Sequence, residues 1–240
     1  MRPSHPIPVV TWVFGLLCVG MFLVQLANSE TRDFVYFLGY RSGFEIWQGS
    51  WWAIFPPNVL HSDAFHIFFN LYWIAILGPR IEKSLGPLAL LLLILGGGAI
   101  SSIFELAVND TPGIGASGVV YAMFGFMAVL GTRFPSLRLP KNLILFLSGW
   151  LIACFPLTHF EVLKVANWAH VGGVFFGMAT ALGLFWSKAL VVRFAYLIVF
   201  LACLVPLFWW PSSEVWQEAQ ATGAQAAPLL PDSLKNNKGE

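Results

Sequence analysis

Gly115-Ala116-Ser117-Gly118 opens an apolar run that continues to Leu130. Glycines at 113, 115 and 118 surround the serine, and glycine permits unusual backbone angles and close approach by another chain. The first backbone N–H groups of a helix have no partner inside it. A serine placed there can attack a carbonyl while those N–H groups hold the developing oxyanion. It can equally serve as an N-cap, a common role for serine at a helix start. This segment alone leaves both readings open. A second polar residue, His170, stands at the start of a later apolar run. Polar side chains at membrane depth are costly and tend to mark function.

The composition places both residues in a membrane protein. Of 240 residues, 58% are hydrophobic and only 10% charged, against about 25% charged in a soluble domain. Mean hydropathy is +0.73. Seven runs are candidate spans, at Val9–Leu26, Ala64–Leu77, Leu88–Leu106, Ser117–Leu130, Leu143–Phe155, Trp168–Phe185 and Leu190–Trp210. The expected fold is an all-α polytopic membrane helix bundle. Several runs fall short of the roughly 20 residues that a lone lipid-exposed helix needs. Short, partly polar spans are tolerated inside a bundle beside a water-filled cavity.

The net charge of +1 gives no sign of a nucleic-acid partner. Cys18, Cys154 and Cys203 all lie in apolar runs and read as buried small hydrophobes rather than disulfides. The first run resembles a signal peptide, but it is long, and Gln25-Leu26-Ala27-Asn28 is a poor cleavage site, so it reads as a retained span.

Loop charges set the expected orientation. With the N-terminus inside, Arg2, Arg80, Lys83, Arg133, Arg138, Lys141, Lys188 and Arg193 fall inside. Arg32, Arg41, Lys164, Lys235 and Lys238 fall outside. Eight against five follows the positive-inside rule. The first loop, about residues 28–60, carries Phe34, Tyr36, Trp47, Trp51 and Trp52, and such aromatics favour the lipid–water interface. Residues 187–211 hold the seventh span, and residues 212–240 read as a mobile polar tail with little to bury.

In this topology the second, fourth and sixth spans run in the same direction. His61, His66, Asn70, Ser117 and His170 then gather at one side of the membrane. His170 can take the proton of Ser117 and pass it to a leaving amine. His170, Gly173 and Gly177 share one helical face, as do Ser117, Tyr121 and Gly125, and small residues spaced by four let membrane helices approach closely. Facing stripes, with Gly118 beside them, bring Ser117 near His170 and lay the Tyr121 ring on the imidazole.

No acid has an obvious claim on His170: Asp63 and Glu105 sit near span ends, and Asp110 and Glu161 in loops. The site therefore reads as a dyad rather than a triad. His66 and Asn70, four apart, are expected oxyanion donors, with interhelical hydrogen bonding as the plainer alternative. His61 orders the loop or binds water. Its spacing of five from His66, with no glutamate in an H-E-x-x-H pattern, argues against a metal site.

These motifs, in this order, resemble the rhomboid intramembrane serine proteases from about Trp51 to Phe185. They are His61-x4-His66-x3-Asn70, Gly115-Ala116-Ser117-Gly118 with Tyr121, and Ala169-His170-x2-Gly173-x3-Gly177. The segment Gly78 to Gly86 also resembles the family's stretch after the second span. The resemblance implies a six-helix core, residues 1–186, plus the added seventh C-terminal helix. Ser117 is then the nucleophile and His170 the base. His66, Asn70 and the Ser117 N–H bind the oxyanion, and Gly115 shapes the site. It implies no cofactor, and substrates that are single-span membrane proteins cut near the outer face. The short N-terminus points to a bacterial inner membrane.

Where the family often has Trp-Arg in the first loop, this chain has Trp51-Trp52, which puts the usual arginine contacts in question. The alternatives are a non-catalytic relative that binds membrane proteins and a small transporter. A processing enzyme for C-terminal sorting tails is a variant of the protease reading.

Overall fold

A computed structural model describes residues 7–27, 32–109 and 111–186, together with the isolated positions 198 and 201. Apart from those two positions, the seventh span and the tail lie outside the described residues. Six helices form the bundle: α1 (Val9–Ala27), α4 (Ala64–Leu85), α5 (Pro87–Asn109), α6 (Ser117–Leu130), α7 (Lys141–His159) and α8 (Asn167–Thr180). Two short helices, α2 (Arg32–Phe37) and α3 (Gly43–Trp47), and two 3-10 turns, Trp51–Ile54 and Pro56–Val59, fold the first loop. Helices α1, α4, α5 and α7 are long and apolar enough to cross a membrane.

Helix α6 is the centre. From Gly118 to Met127 every residue is buried. Its 14 residues give a rise of about 21 Å, short of a hydrocarbon core of about 30 Å. The shortfall is tolerable because neighbours, not lipid, surround it, and it leaves room above one end.

Helices α6 and α8 meet backbone to backbone. A Cβ on Gly173 would strike the Gly118 carbonyl, one on Gly177 the Ala122 carbonyl, and one on Gly125 would lie 2.5 Å from the Val174 oxygen. The two stripes read from the sequence therefore do face each other. Gly118 itself faces Ser101 of α5, so its smallness serves a third helix. Three consecutive glycines of α5 have separate neighbours: Gly96 the Phe176 ring, Gly97 the Ala122 methyl, and Gly98 the Asn58 amide.

Two spans differ from expectation. Gly78-Pro79 reads as the end of the second span, yet α4 continues to Leu85 with Pro79 inside it. Gly78 is the close-approach point for Thr11 of α1, and the added turns carry buried Glu82 to the start of α1. Its carboxylate accepts from the N–H groups of Val10 (2.8 Å) and Thr11 (2.9 Å) and from the Thr11 hydroxyl (2.8 Å). The sixth span is not one α-helix but α8 followed by a π-helical turn, Ala181–Trp186.

The first loop is ordered by local chemistry. Ser42 and Glu45 form a capping box at α3. The Arg41 guanidinium lies 3.4 Å from the Tyr36 ring centroid and 5.4 Å from that of Trp52, and donates to the Tyr36 and Tyr40 carbonyls. An arginine thus does serve the loop, from position 41 rather than beside Trp51. Asn58 anchors the loop to α5 by donating to Ser102 Oγ at 3.2 Å.

Gly177→Val tests the central contact. Overpacking a close-packed site costs about 1–3 kcal/mol, and here the obstacle is backbone, which cannot rotate away. The variant is expected to lose about 2–3 kcal/mol in reversible unfolding in mixed micelles. A wild-type midpoint would show that α6 and α8 are not in this contact.

Candidate active site

Two glycines shape the approach to Ser117. Gly113 has φ 71° and Gly115 φ 115°, the region open to glycine. Gly115 N donates to the Pro57 carbonyl at 2.9 Å, tying this segment to the first loop. Ser117 is the first residue of α6; Ala116 occupies the cap position and supplies no side-chain bond. The serine is therefore not an N-cap. Its Oγ lies instead 2.8 Å from His170 Nε2.

His170 sits in the first turn of α8 and is buried. The Tyr121 ring lies against it, with centroids 4.6 Å apart and planes at 34°. Tyr121 is held in turn by its hydroxyl, which donates to the Leu147 carbonyl of α7 at 3.2 Å. His170 Nδ1 is buried with no hydrogen-bond partner among the described residues. Among the described residues no carboxylate bonds to the ring.

His66 and Asn70 face the same place from α4. A Cβ on Gly115 would collide with the Cε1–Nε2 edge of His66 and lie 3.6 Å from Asn70 Nδ2. One Asn70 N–H donates to the His66 carbonyl at 2.9 Å. The amide carries a second N–H, available to an acceptor in the cavity. Ser62 Oγ lies 3.1 Å from His66 Nδ1 and 2.8 Å from Asp63 Oδ2. Asp63 caps α4 through the His66 N–H at 2.9 Å. The sequence reading treats Asp63 only as a nearby acid; the S-D pair before the helix fixes both its start and the His66 ring.

His61 lies behind these groups. Its ring meets that of His66 edge-on, 5.1 Å between centroids. Its Nε2 is a long 3.5 Å from Ala116 N. Gln25 of α1 clamps its backbone, accepting from His61 N at 3.1 Å and donating to His61 O at 3.2 Å. Gln25 is a partner that the sequence did not signal.

A cavity of about 450 Å³ opens onto Ser117, His170, His66 and Asn70, with Phe146 and Trp150 of α7 on its far wall. A hydroxyl paired with an imidazole, beside amide and imidazole donors in a recess, can perform nucleophilic attack on a carbonyl and stabilise the oxyanion. One buried acid, Glu105 of α5, which the sequence places near a span end with no obvious claim on His170, meets the backbone beside it. Its Oε2 accepts from the Ala169 N–H at 2.9 Å.

Burial, reinforced by the neighbouring His66, pushes His61 down to about 3. An unfolded chain takes up this proton near 6.5. The contribution is therefore absent above pH 6.5, and stability is lost as pH falls from 6.5 toward 3, at up to about 1.4 kcal/mol per pH unit. Thermal unfolding of wild type and His61→Gln between pH 7.5 and 4.5 is expected to show a shallower acid slope in the variant. An identical slope would remove His61 from the acid response.

The Rhomboid domain family matches residues 48–187. Rhomboid protease GlpG from two strains of Klebsiella pneumoniae is 31% identical over 175 residues in each case. The match covers 71% of this chain and 61% of each relative's length. The matched segment contains α4 to α8 and with them Ser117, His170, His66 and Asn70, and so the chain belongs to the rhomboid family.

Proposed function

We propose that the protein is an intramembrane serine endopeptidase that cleaves single-span membrane proteins with Ser117 and His170. The observation that carries this is the 2.8 Å contact between Ser117 Oγ and His170 Nε2, set in a cavity within a bundle of apolar helices. Membership of the rhomboid family and likeness to a rhomboid protease support it.

The chemistry follows from the geometry. Ser117 Oγ attacks the scissile carbonyl as its proton passes to His170 Nε2. The oxyanion is met by the free N–H of Ser117, the second N–H of Asn70 and the imidazole of His66. The tetrahedral intermediate collapses, the C–N bond breaks, and His170 returns its proton to the leaving amine. Water then attacks the Ser117 ester, again through His170, and releases the new carboxyl group.

Peptide bonds within an intact helix are shielded, so the substrate must unwind locally before attack. The lateral route runs beside α7. Only Leu147 and Cys154 of that helix are buried, and its Phe146 ring meets Trp73 of α4 at 5.9 Å across the mouth of the cavity. By the bias of inside positive charge, the N-terminus is cytoplasmic and the cavity opens to the outer face of a bacterial inner membrane.

The test is cleavage of a generic single-span substrate in liposomes by wild type, Ser117→Ala and His170→Ala. Each variant is expected to lose more than about 1000-fold in rate while remaining folded. Equal cleavage by Ser117→Ala would sink the assignment. Substrate capture without cleavage by all three would favour a binding-only relative.

A further inference from the structure

The start of α8 has no cap of its own. Ala166 stands at the N-cap position and offers no side-chain acceptor. Unsatisfied helix-end N–H groups are costly, more so where lipid excludes water. The acceptor comes from another helix: Glu105 of α5 takes the Ala169 N–H at 2.9 Å, and the Trp168 N–H faces the same carboxylate. These are the second and third positions of α8, the two that a capping side chain normally serves.

Glu105 is 4% exposed, and a buried carboxylate persists only when its oxygens are well bonded. Its other oxygen accepts from Asn109 Nδ2 at 2.6 Å. The side chain also touches the segment leading to the serine: a Cβ on Gly113 would lie 3.3 Å from Glu105 Cγ and 2.9 Å from the Ala166 methyl. One side chain thus grips the start of the His170 helix and backs the Ser117 loop. Glu82 treats α1 in the same way, through the second and third N–H groups of that helix.

We propose that Glu105 is a positioning residue for the dyad. By capping α8 at the residue immediately before His170, it fixes the depth and tilt of the imidazole relative to Ser117. It replaces, through the backbone, the acid that a triad applies to the imidazole itself. This rests on Ser117 and His170 being nucleophile and base. A misplacement of about 1 Å at a reacting pair can cost about 100-fold in rate, so the cap has a kinetic consequence separate from its effect on folding.

The full chain is tested in detergent with two readouts: modification of Ser117 by a fluorophosphonate, and kcat and KM on a single-span substrate. Both are scaled to the folded fraction. Glu105→Ala is expected to lower labelling and kcat by about 10- to 100-fold with KM within about twofold. Glu105→Gln keeps an acceptor for the Ala169 N–H and is expected to stay within about fivefold of wild type. Asn109→Ala, which frees one carboxylate oxygen, is expected to lose about two- to fivefold in kcat.

Wild-type labelling per folded molecule in Glu105→Ala would overturn the proposal, as would a glutamine variant no better than alanine. If Glu105→Ala fails to fold, Asn109→Ala decides: an unchanged kcat overturns the proposal. A wild type that neither labels nor cleaves would overturn the dyad reading, and this proposal with it. A labelled wild type with unaffected variants overturns the Glu105 role alone.

Discussion

The backbone contact between α6 and α8 is the constraint on which the rest depends. Lipid tails are as apolar as leucine, so no hydrophobic force presses membrane helices together, and close packing must do so. Here the approach is set by Gly173 against Gly118, Gly177 against Ala122 and Gly125 against Val174. With the helices this close, the first residue of α6 and the first turn of α8 come within one hydrogen bond. A bulkier side chain anywhere along this line would separate the helices, and the ends would part with the middle. The glycine stripe and the Ser117–His170 contact are thus one feature at two scales.

The second constraint is the helix ends. A short α6 gives the cavity its depth, but starting helices below the membrane surface leaves N–H groups where water is scarce. The chain meets this with carboxylates borrowed from neighbouring helices: Glu82 at α1 and Glu105 at α8. At α4 a local acid suffices: Asp63 accepts from the His66 N–H. Each borrowed cap also fixes one helix against another, so satisfying the backbone and setting the tertiary geometry are the same event.

Much of this was legible because the sequence periodicities are strong. The serine among glycines, the histidine three before Gly173 of a small-residue stripe, and the direction of the spans together point Ser117 toward His170. What was not legible depends on partners distant in sequence. Gly78-Pro79 looks like a helix end by local propensity, yet the helix continues because Thr11 packs on Gly78 and Glu82 must reach α1. Arg41 gives no local sign that it will stack on Tyr36 and reach Trp52. Glu105 lies in a polar-ended span like several others, and only the fold brings it beneath Ala169.

Among the described residues the Nδ1 of His170 has no hydrogen-bond partner, so the orientation of the ring must be held in other ways. Three restraints act on His170 from different directions. Tyr121 covers its ring, Ser117 engages Nε2, and the capped backbone of α8 sets its height. None of these requires a charge against the imidazole, which suits a site that must work beside lipid, where an isolated buried charge is expensive. The restraints also lie on one side. Helices α5, α6 and α8 form a closely packed wall, whereas α7 buries only two residues and meets the site through Phe146, Trp150 and the Leu147 carbonyl. Ser117 and His170 thus stand on the closely packed wall, and the more exposed α7 lies opposite them. Tyr121, which covers the His170 ring and donates to the Leu147 carbonyl, links the two walls.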